Sequence, residues 1–350
     1  MKIVCSIGPN AKKLSALDEY ANEGMNMARF NFSHANYDTI RAQIEYLRKQ
    51  HPFVEVIQDL RGNKLRVSSL FQREVKVMQG SIVYFCSEKF YYEKNRMRGL
   101  TIPISLEGDF STMYSAKKIL MKDATIEFEV VGTGSKNELI KTIVKRGGLI
   151  RAEKGVNAPG MDRSMLGITE KDKFDIKWGL ENNVDIICLS YVTKVEDIIN
   201  LRDYIKLLRK ADKSLKMPKI WAKIECDEGV KNFKDILSKV DGIILGRGDL
   251  AAEVEIYDVP RIQEEIFRVI KRTKKEFIIA THLLESMKRE AVPTLPEIND
   301  IYNYIKAGAT GFMLCGELTV GRNPLETIRI LKLIIDRYKI VSLDKPNEVE

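Results

Sequence analysis

The chain has 350 residues, 44% hydrophobic and 30% charged, a globular composition long enough for one large domain or two smaller ones. No run approaches the ~18 consecutive apolar residues of a membrane span, and five scattered cysteines without CxxC spacing indicate neither a zinc site nor a disulfide framework. The formal charge of +8 favours anionic partners. The basic residues are spread along the chain without an aromatic-interleaved motif, so phosphorylated small molecules suit it, and neither nucleic acid nor membrane is expected as a partner.

The opening "MKIVCSIGPN" enters a strand at once, so no signal peptide is read and the cytoplasm is the expected location. β-rich runs recur at residues 2–7, 25–31, 54–59, 184–190, 219–225, 242–247, 276–281 and 310–315. Most are followed by helix-like stretches such as "LSALDEYANEG", "YDTIRAQIEYLRKQ", "VEDIINLRDYIKLLRKA" and "IQEEIFRVIKRTKK". Eight strands alternating with helices predict an α/β fold with a parallel sheet, and eight is the number that closes a TIM (β/α)8 barrel. The alternation stops between Arg66 and about Asn157, where "REVKVMQGSIVYFCS", "ATIEFEVVGTG" and "LIKTIVKRGGLIRAEKG" read as strands without helices. The expected division is a barrel over residues 1–66 and 157–340, a small all-β insert over 67–156 after the third strand, and a polar tail over 341–350. Cys5, Cys188 and Cys315 lie in apolar runs and read as buried small hydrophobes.

Polar residues line up at strand ends. Strand two ends in "ARFNFSH", three in "QDLRGNKLR", four in "CLSY", five in "AKIE", six in "GRGD", seven in "ATHLLES" and eight in "CGE". Catalytic groups of such barrels gather at the C-terminal face from several strands. Arg29, Asn31, Ser33, Asp59, Arg66, Lys223, Glu225, Arg247, Asp249, Thr281 and Glu317 are therefore expected around one cavity; for any one of them a structural ion pair is the plain alternative. The strand "IWAKIE" carries Lys223 and Glu225 on one side. Both are tolerable inside if their heads emerge at the barrel mouth and meet each other, a metal or an anion. The chain has no HExxH, GxSxG, GxxxxGK[ST] or GxGxxG, so any phosphate is handled without a P-loop.

Ten segments in order carry a resemblance over nearly the whole chain: "KIVCSIGP", "GMNMARFNFSH", "DLRGNKLR", "KGVNAPG", "TEKDKFDIKWGLENNVDIICLSYV", "AKIECDEGV", "DGIILGRGDL", "ATHLLESM", "PTLPEINDIYNYI" and "GFMLCGELTVGRNPLETI". The chain resembles the pyruvate kinases. The resemblance implies a barrel A domain, a β-rich B domain acting as a lid, and phosphoryl transfer from phosphoenolpyruvate to ADP, giving pyruvate and ATP. By the same resemblance, Lys223 touches the phosphoryl group in flight and Arg29 and Arg66 clamp it. Glu225 and Asp249 would hold Mg2+ (or Mn2+). Gly248, Asp249 and Thr281 would cradle the substrate carboxylate, with Thr281 near the carbon that is protonated. Ser190 would line the pocket, and Pro9, His34 and Lys154 would lie near the nucleotide.

Several positions depart from the family pattern. The K+ site is represented by Asn31, Ser33 and Asp59, but its threonine is Leu60 and its glutamate position holds Lys64, so the tethered ammonium is expected to replace K+. The usual lysine after that threonine is Arg61, the glutamine after the strand-seven threonine is His282, and "RAE" reads "LPE" at 295–297. The lid's "DDG" reads "KDA" at 122–124, and "IRK" reads "VTK" at 192–194, which leaves the acceptor open. A short form without the family's C-terminal domain is expected, with a homodimer through the barrel still open. Two other readings stand beside the kinase: a Mg2+–enolpyruvate or 2-oxo acid barrel turned to lyase or other transfer chemistry, and a non-catalytic relative.

Overall fold

The computed structural model describes residues 1–93, 99–122, 124–134 and 139–339. Eight parallel strands close into one barrel: β1 (Lys2–Ile7), β2 (Met27–Asn31), β3 (Glu55–Leu60), β4 (Ile186–Leu189), β5 (Lys219–Ile224), β6 (Gly242–Gly246), β7 (Glu276–Ala280) and β8 (Gly311–Leu314), which returns to β1. All eight expected strands are present. Five of them stop one residue early, because the ladder ends where the polar residues turn into the loops.

Helices α1 (Leu14–Glu23), α2 (Tyr37–Gln50), α3 (Glu170–Glu181), α4 (Val195–Ala211), α5 (Phe233–Lys239), α6 (Val259–Ile270), α7 (Leu295–Ala307) and α8 (Pro324–Lys339) alternate with the strands. Their starts are coded locally. Asn36 accepts the Thr39 amide at 3.0 Å ahead of α2, and Thr169 with Asp172 forms a reciprocal capping box on α3. The altered "LPE" segment has the same use. Glu297 accepts the Thr294 amide and the Ser286 amide, both at 2.8 Å, and so caps α7.

Two apolar layers follow from the two-residue period of a strand. Outward residues such as Ile3, Phe30, Val56, Ile220, Ile243 and Phe277 pack under the helices. Inward residues Val4, Met27, Ile57, Ile186, Trp221, Ile244, Ile278 and Met313 fill the barrel. Gly242 makes room for the largest of these, since a Cβ there would lie 2.5 Å from the Trp221 ring nitrogen. Two residues beyond Met27, Ile57 and Trp221 come Arg29, Asp59 and Lys223. They face the same interior one layer higher, where the apolar plug ends.

The insert after β3 forms a second closed barrel of seven strands among the described residues, from Leu65–Val67 to Gly155–Asn157, around Phe85, Ile102, Phe128 and Ile140. It was expected to be all-β but also contains a short helix, Glu88–Tyr92, started by Ser87, whose hydroxyl accepts the Phe90 amide at 3.1 Å. The insert's first and last strands pair with each other, Arg66 opposite Gly155, so Arg66 and Asn157 sit together at its neck. The expected tail at 341–350 lies outside the described residues.

Gly62, in the loop that leaves β3, has φ +58, and a Cβ would lie 2.2 Å from the Ser190 carbonyl oxygen. A left-handed side chain costs about 1–2 kcal/mol, and here it also meets backbone. Gly62→Ala is expected to lower stability by about 2 kcal/mol or more, read as a lower urea midpoint. An unchanged midpoint contradicts this account of the loop.

Candidate active site

The inward polar layer forms one connected cluster at the C-terminal end of the barrel. Asp59 on β3 is 2% exposed. Its Oδ2 accepts Arg29 Nε at 2.8 Å and its Oδ1 accepts the Ser190 hydroxyl at 3.0 Å. The Lys223 ammonium stands 3.5 Å from Asp59 Oδ2, 3.2 Å from Ser190 Oγ and 2.9 Å from Glu225 Oε1. Burial alone would push the Asp59 carboxyl up, but Lys223 and Arg29 outweigh it and hold the group below the usual aspartate range. Burial would likewise lower Lys223, yet Asp59 and Glu225 raise it, so its ammonium stays charged.

The two candidate metal ligands meet at the same place. Glu225 follows β5, and Asp249 lies on the short helix Arg247–Glu253 after β6. Burial pushes Glu225 up; Lys223 opposes this, while the neighbouring Asp249 adds to it. Asp249 moves the other way: Lys64, whose Nζ donates to Oδ2 at 2.6 Å, overcomes burial and holds it well below the usual range. Gly246 lets Glu225 into this position, since a Cβ there would lie 2.7 Å from Glu225 Cγ.

Three non-glycine residues at the site have left-handed backbones: Tyr191 (φ 54), Thr281 (φ 65) and His282 (φ 52). For β-branched Thr281 this is a strained conformation, of a kind that clusters at functional sites. Arg247 holds it in place. Its guanidinium donates to the Thr281 and His282 carbonyls and to the Tyr304 hydroxyl. Arg247 is therefore turned away from the cavity it was expected to face and braces the loop from behind. The Thr281 hydroxyl accepts the Gly248 amide at 2.8 Å and donates to the Ala280 carbonyl at 2.6 Å.

A second group of cations lies at the neck of the insert. Arg66 is buried, donates to the Glu153 carbonyl at 2.7 Å, and has no hydrogen-bond partner for its Nε among the described residues. Burial and the adjacent Arg61 lower its pKa. Desolvation and Arg66 hold the His34 imidazole below its ordinary value, and desolvation with Arg151 and Arg66 does the same to Lys154. Arg61, Arg66, Arg151 and Lys154 thus repel one another across the neck, the electrostatic setting for a phosphate-bearing ligand.

Other sequence-derived residues fall elsewhere. Pro9 is exposed in a single turn after β1. Asn31 uses its side chain to accept the Ser33 amide at 3.0 Å. Lys64 was expected to supply charge beside Asn31, Ser33 and Asp59; its ammonium lies on Asp249, because Asp59 is already met by Arg29 and Lys223. Glu317 accepts the Cys315 amide at 2.8 Å and so serves its own turn. Lys194 of "VTK" donates to the Ser164 carbonyl. Asp123 of "KDA" lies outside the described residues. Sequence reasoning missed Tyr191, whose hydroxyl donates to Asp249 Oδ1 at 3.0 Å, and Asn157, which donates to that hydroxyl at 2.7 Å. It also missed Arg163, which forms a buried two-pronged pair with Glu253, 3.0 Å to each oxygen. A tyrosine directly after Ser190 was the one visible signal.

A (β/α)8 barrel with a second β-barrel on the loop after β3, and a mixed acid–base cluster at its C-terminal face, defines a barrel with an enzyme-type site. The family model described as pyruvate kinase, barrel domain, matches residues 1–328. Curated relatives include pyruvate kinases of Geobacillus stearothermophilus, 33% identical over 95% of this chain, and of Bacillus licheniformis, 32% identical over 96% of it. The pyruvate kinase of Staphylococcus aureus strain MRSA252 is 30% identical over 99%. The chain belongs to the pyruvate kinase family. It spans 56% to 61% of the length of these relatives.

The donor set suits a hard divalent cation. Glu225 and Asp249 offer only oxygens, and burial, joined by the neighbouring Asp249 and opposed by Lys223, pushes Glu225 up. Among the described residues no cluster of three or more His, Cys, Asp or Glu could hold a metal. Two carboxylates fit Mg2+, which keeps waters and shares substrate oxygens, better than a closed protein cage.

Asp59→Asn removes the shared counter-charge of Arg29 and Lys223 and is expected to cost about 3–5 kcal/mol at neutral pH. Because the folded-state pKa of Asp59 is depressed, its stabilisation is present above the ordinary aspartate value, about 3.9, and is lost as pH falls through the lower folded value. The gap between parent and variant in urea unfolding should therefore narrow on acidification. A gap independent of pH contradicts the assignment.

Proposed function

We propose that this chain transfers the phosphoryl group of phosphoenolpyruvate to ADP, giving pyruvate and ATP, in the cytoplasm, with Mg2+ or Mn2+ held by Glu225 and Asp249. The observation that carries this reading is the placement of a charged Lys223 between Asp59, Ser190 and Glu225 at the barrel mouth, with the buried Arg66, whose Nε has no partner among the described residues, at the neck of the insert. Phosphoryl transfer asks the protein chiefly for positioning and for positive charge on the equatorial oxygens. Lys223 and Arg66 supply that charge, and Arg29, fixed by Asp59, orders the acid that holds Lys223. The divalent cation, when bound, would neutralise negative charge on the phosphoryl and enolate oxygens. The Gly248 amide and the Thr281 hydroxyl would hold the substrate carboxylate by exchanging their bonds to Thr281 Oγ and the Ala280 carbonyl for it, with the hydroxyl also beside the carbon that takes a proton. His34 and Lys154, on the cationic side of Arg66, would meet the nucleotide phosphates, and Pro9 would border them.

The site carries its own fixed cations: Arg29 and Lys223 balance Asp59, and Lys64 adds an ammonium at Asp249. Activity is therefore expected without K+. Steady-state rates should be nearly equal in K+, Na+ and tetramethylammonium buffers, and a strong dependence on K+ would count against this balance of charge.

The reaction is read by phosphorus NMR with Mg2+, with and without ADP. ATP formed only when ADP is present is the expected result. Loss of phosphoenolpyruvate without ATP identifies a lyase or another acceptor. Absence of turnover, with Mg2+ and pyruvate still bound, identifies a non-catalytic relative.

A further inference from the structure

Tyr191 takes no part in the reading above, yet it touches both candidate metal ligands. Its backbone amide donates to Glu225 Oε2 at 3.1 Å. Its phenol donates to Asp249 Oδ1 at 3.0 Å. The phenol oxygen also accepts Asn157 Nδ2 at 2.7 Å. A phenol has one proton; with the oxygen already accepting from an amide, that proton goes to the carboxylate, which can only accept. One residue reaches two carboxylates from successive strands because its backbone turns sharply, at φ 54. The ring is buried, with Arg163 and Lys64 each 5.8 Å from its centroid, so the phenol has little freedom to swing away.

The contacts divide the four carboxylate oxygens into two pairs. Glu225 Oε2 and Asp249 Oδ1 are tied to Tyr191. Glu225 Oε1 and Asp249 Oδ2 face ammonium groups, Lys223 at 2.9 Å and Lys64 at 2.6 Å. The second pair are thus held by ammonium groups, which a metal ion on those oxygens would have to displace, whereas the first pair are fixed by Tyr191.

We propose that Tyr191 is a positioning residue for the divalent cation: it anchors one oxygen of each acid and so fixes how the two carboxylates face a shared ion. This rests on the reading of Glu225 and Asp249 as its ligands. Tyr191→Phe keeps the ring and the amide bond to Glu225 but frees Asp249 Oδ1, whose remaining partner, Asn157, is 3.4 Å away. Outer-shell partners of metal ligands typically affect affinity by 10- to 100-fold.

The test is Mn2+ titration, followed by the paramagnetic resonance of the free ion, on the full chain, Y191F and D249N, with thermal unfolding in parallel. The expected result is one Mn2+ on the parent, none on D249N, and about 10-fold weaker binding on Y191F with a melting point close to the parent's. In turnover assays the Mg2+ concentration for half-maximal rate should rise while the saturated rate holds, a split that a purely structural defect does not produce. Equal Mn2+ affinity in the parent and Y191F overturns the role of Tyr191 and leaves the two ligands standing. Equal affinity in the parent and D249N, or no binding to the parent, overturns both. Should Y191F fail to fold, N157A carries the test: it releases the phenol proton from its fixed direction, so weaker Mn2+ binding supports the role and unchanged binding overturns it.

Discussion

The buried contact among Asp59, Lys223 and Glu225 is the constraint on which the rest of the site depends. Charges taken from water are tolerated only when paired and hydrogen-bonded. Here Arg29, Ser190 and the Tyr191 amide complete the pairing. The cluster exists because strands alternate their side chains. Residues two positions beyond the apolar filling of the barrel must face inward too, and at that height the interior opens. A fold that buries Trp221 and Ile57 thereby delivers Lys223 and Asp59 to the mouth of the barrel.

The inner cluster is rich in acids and its charges are matched, whereas the neck of the insert brings Arg66 close to Arg61 and Lys154. Two elements join them. Asn157, on the insert's last strand, donates to Tyr191. Arg163, a few residues on, clasps Glu253 at the end of the short helix that holds Asp249. The neck is thus fastened to the helix that bears a candidate metal ligand, and any movement of the insert acts on the cavity through those contacts. Strain is concentrated at the same place, in the left-handed backbones of Tyr191, Thr281 and His282.

Much of this was legible in the sequence. Eight β-rich runs with helix-like intervals specified the barrel, and the loss of helical signal after Arg66 located the insert. Polar residues at strand ends pointed to the mouth of the barrel, where Arg29, Asp59, Lys223 and Glu225 meet, since that signal depends only on strand period and direction. What was not legible depends on rotamers and loop turns. Arg247 reads as a cavity residue until its guanidinium is seen folded back on the Thr281 and His282 carbonyls. Lys64 reads as a partner of Asp59, but Asp59 is already satisfied and the ammonium finds Asp249. The segment 295–297 reads as an altered motif, and its Glu297 acts as a helix cap. Tyr191 was passed over because nothing in a sequence shows that an amide and a phenol of one residue point at two different acids.

The central claim is that Glu225 and Asp249 would hold one divalent cation which, with Lys223, binds a planar, doubly charged enolpyruvate. Oxalate has that shape and charge and cannot react, so calorimetric titration of the full chain with oxalate, with and without Mn2+, tests the claim directly. The account predicts binding only with Mn2+ present, lost in Glu225→Gln and strongly weakened in Lys223→Met. Oxalate that binds equally well without Mn2+, or that is indifferent to both substitutions, would contradict it.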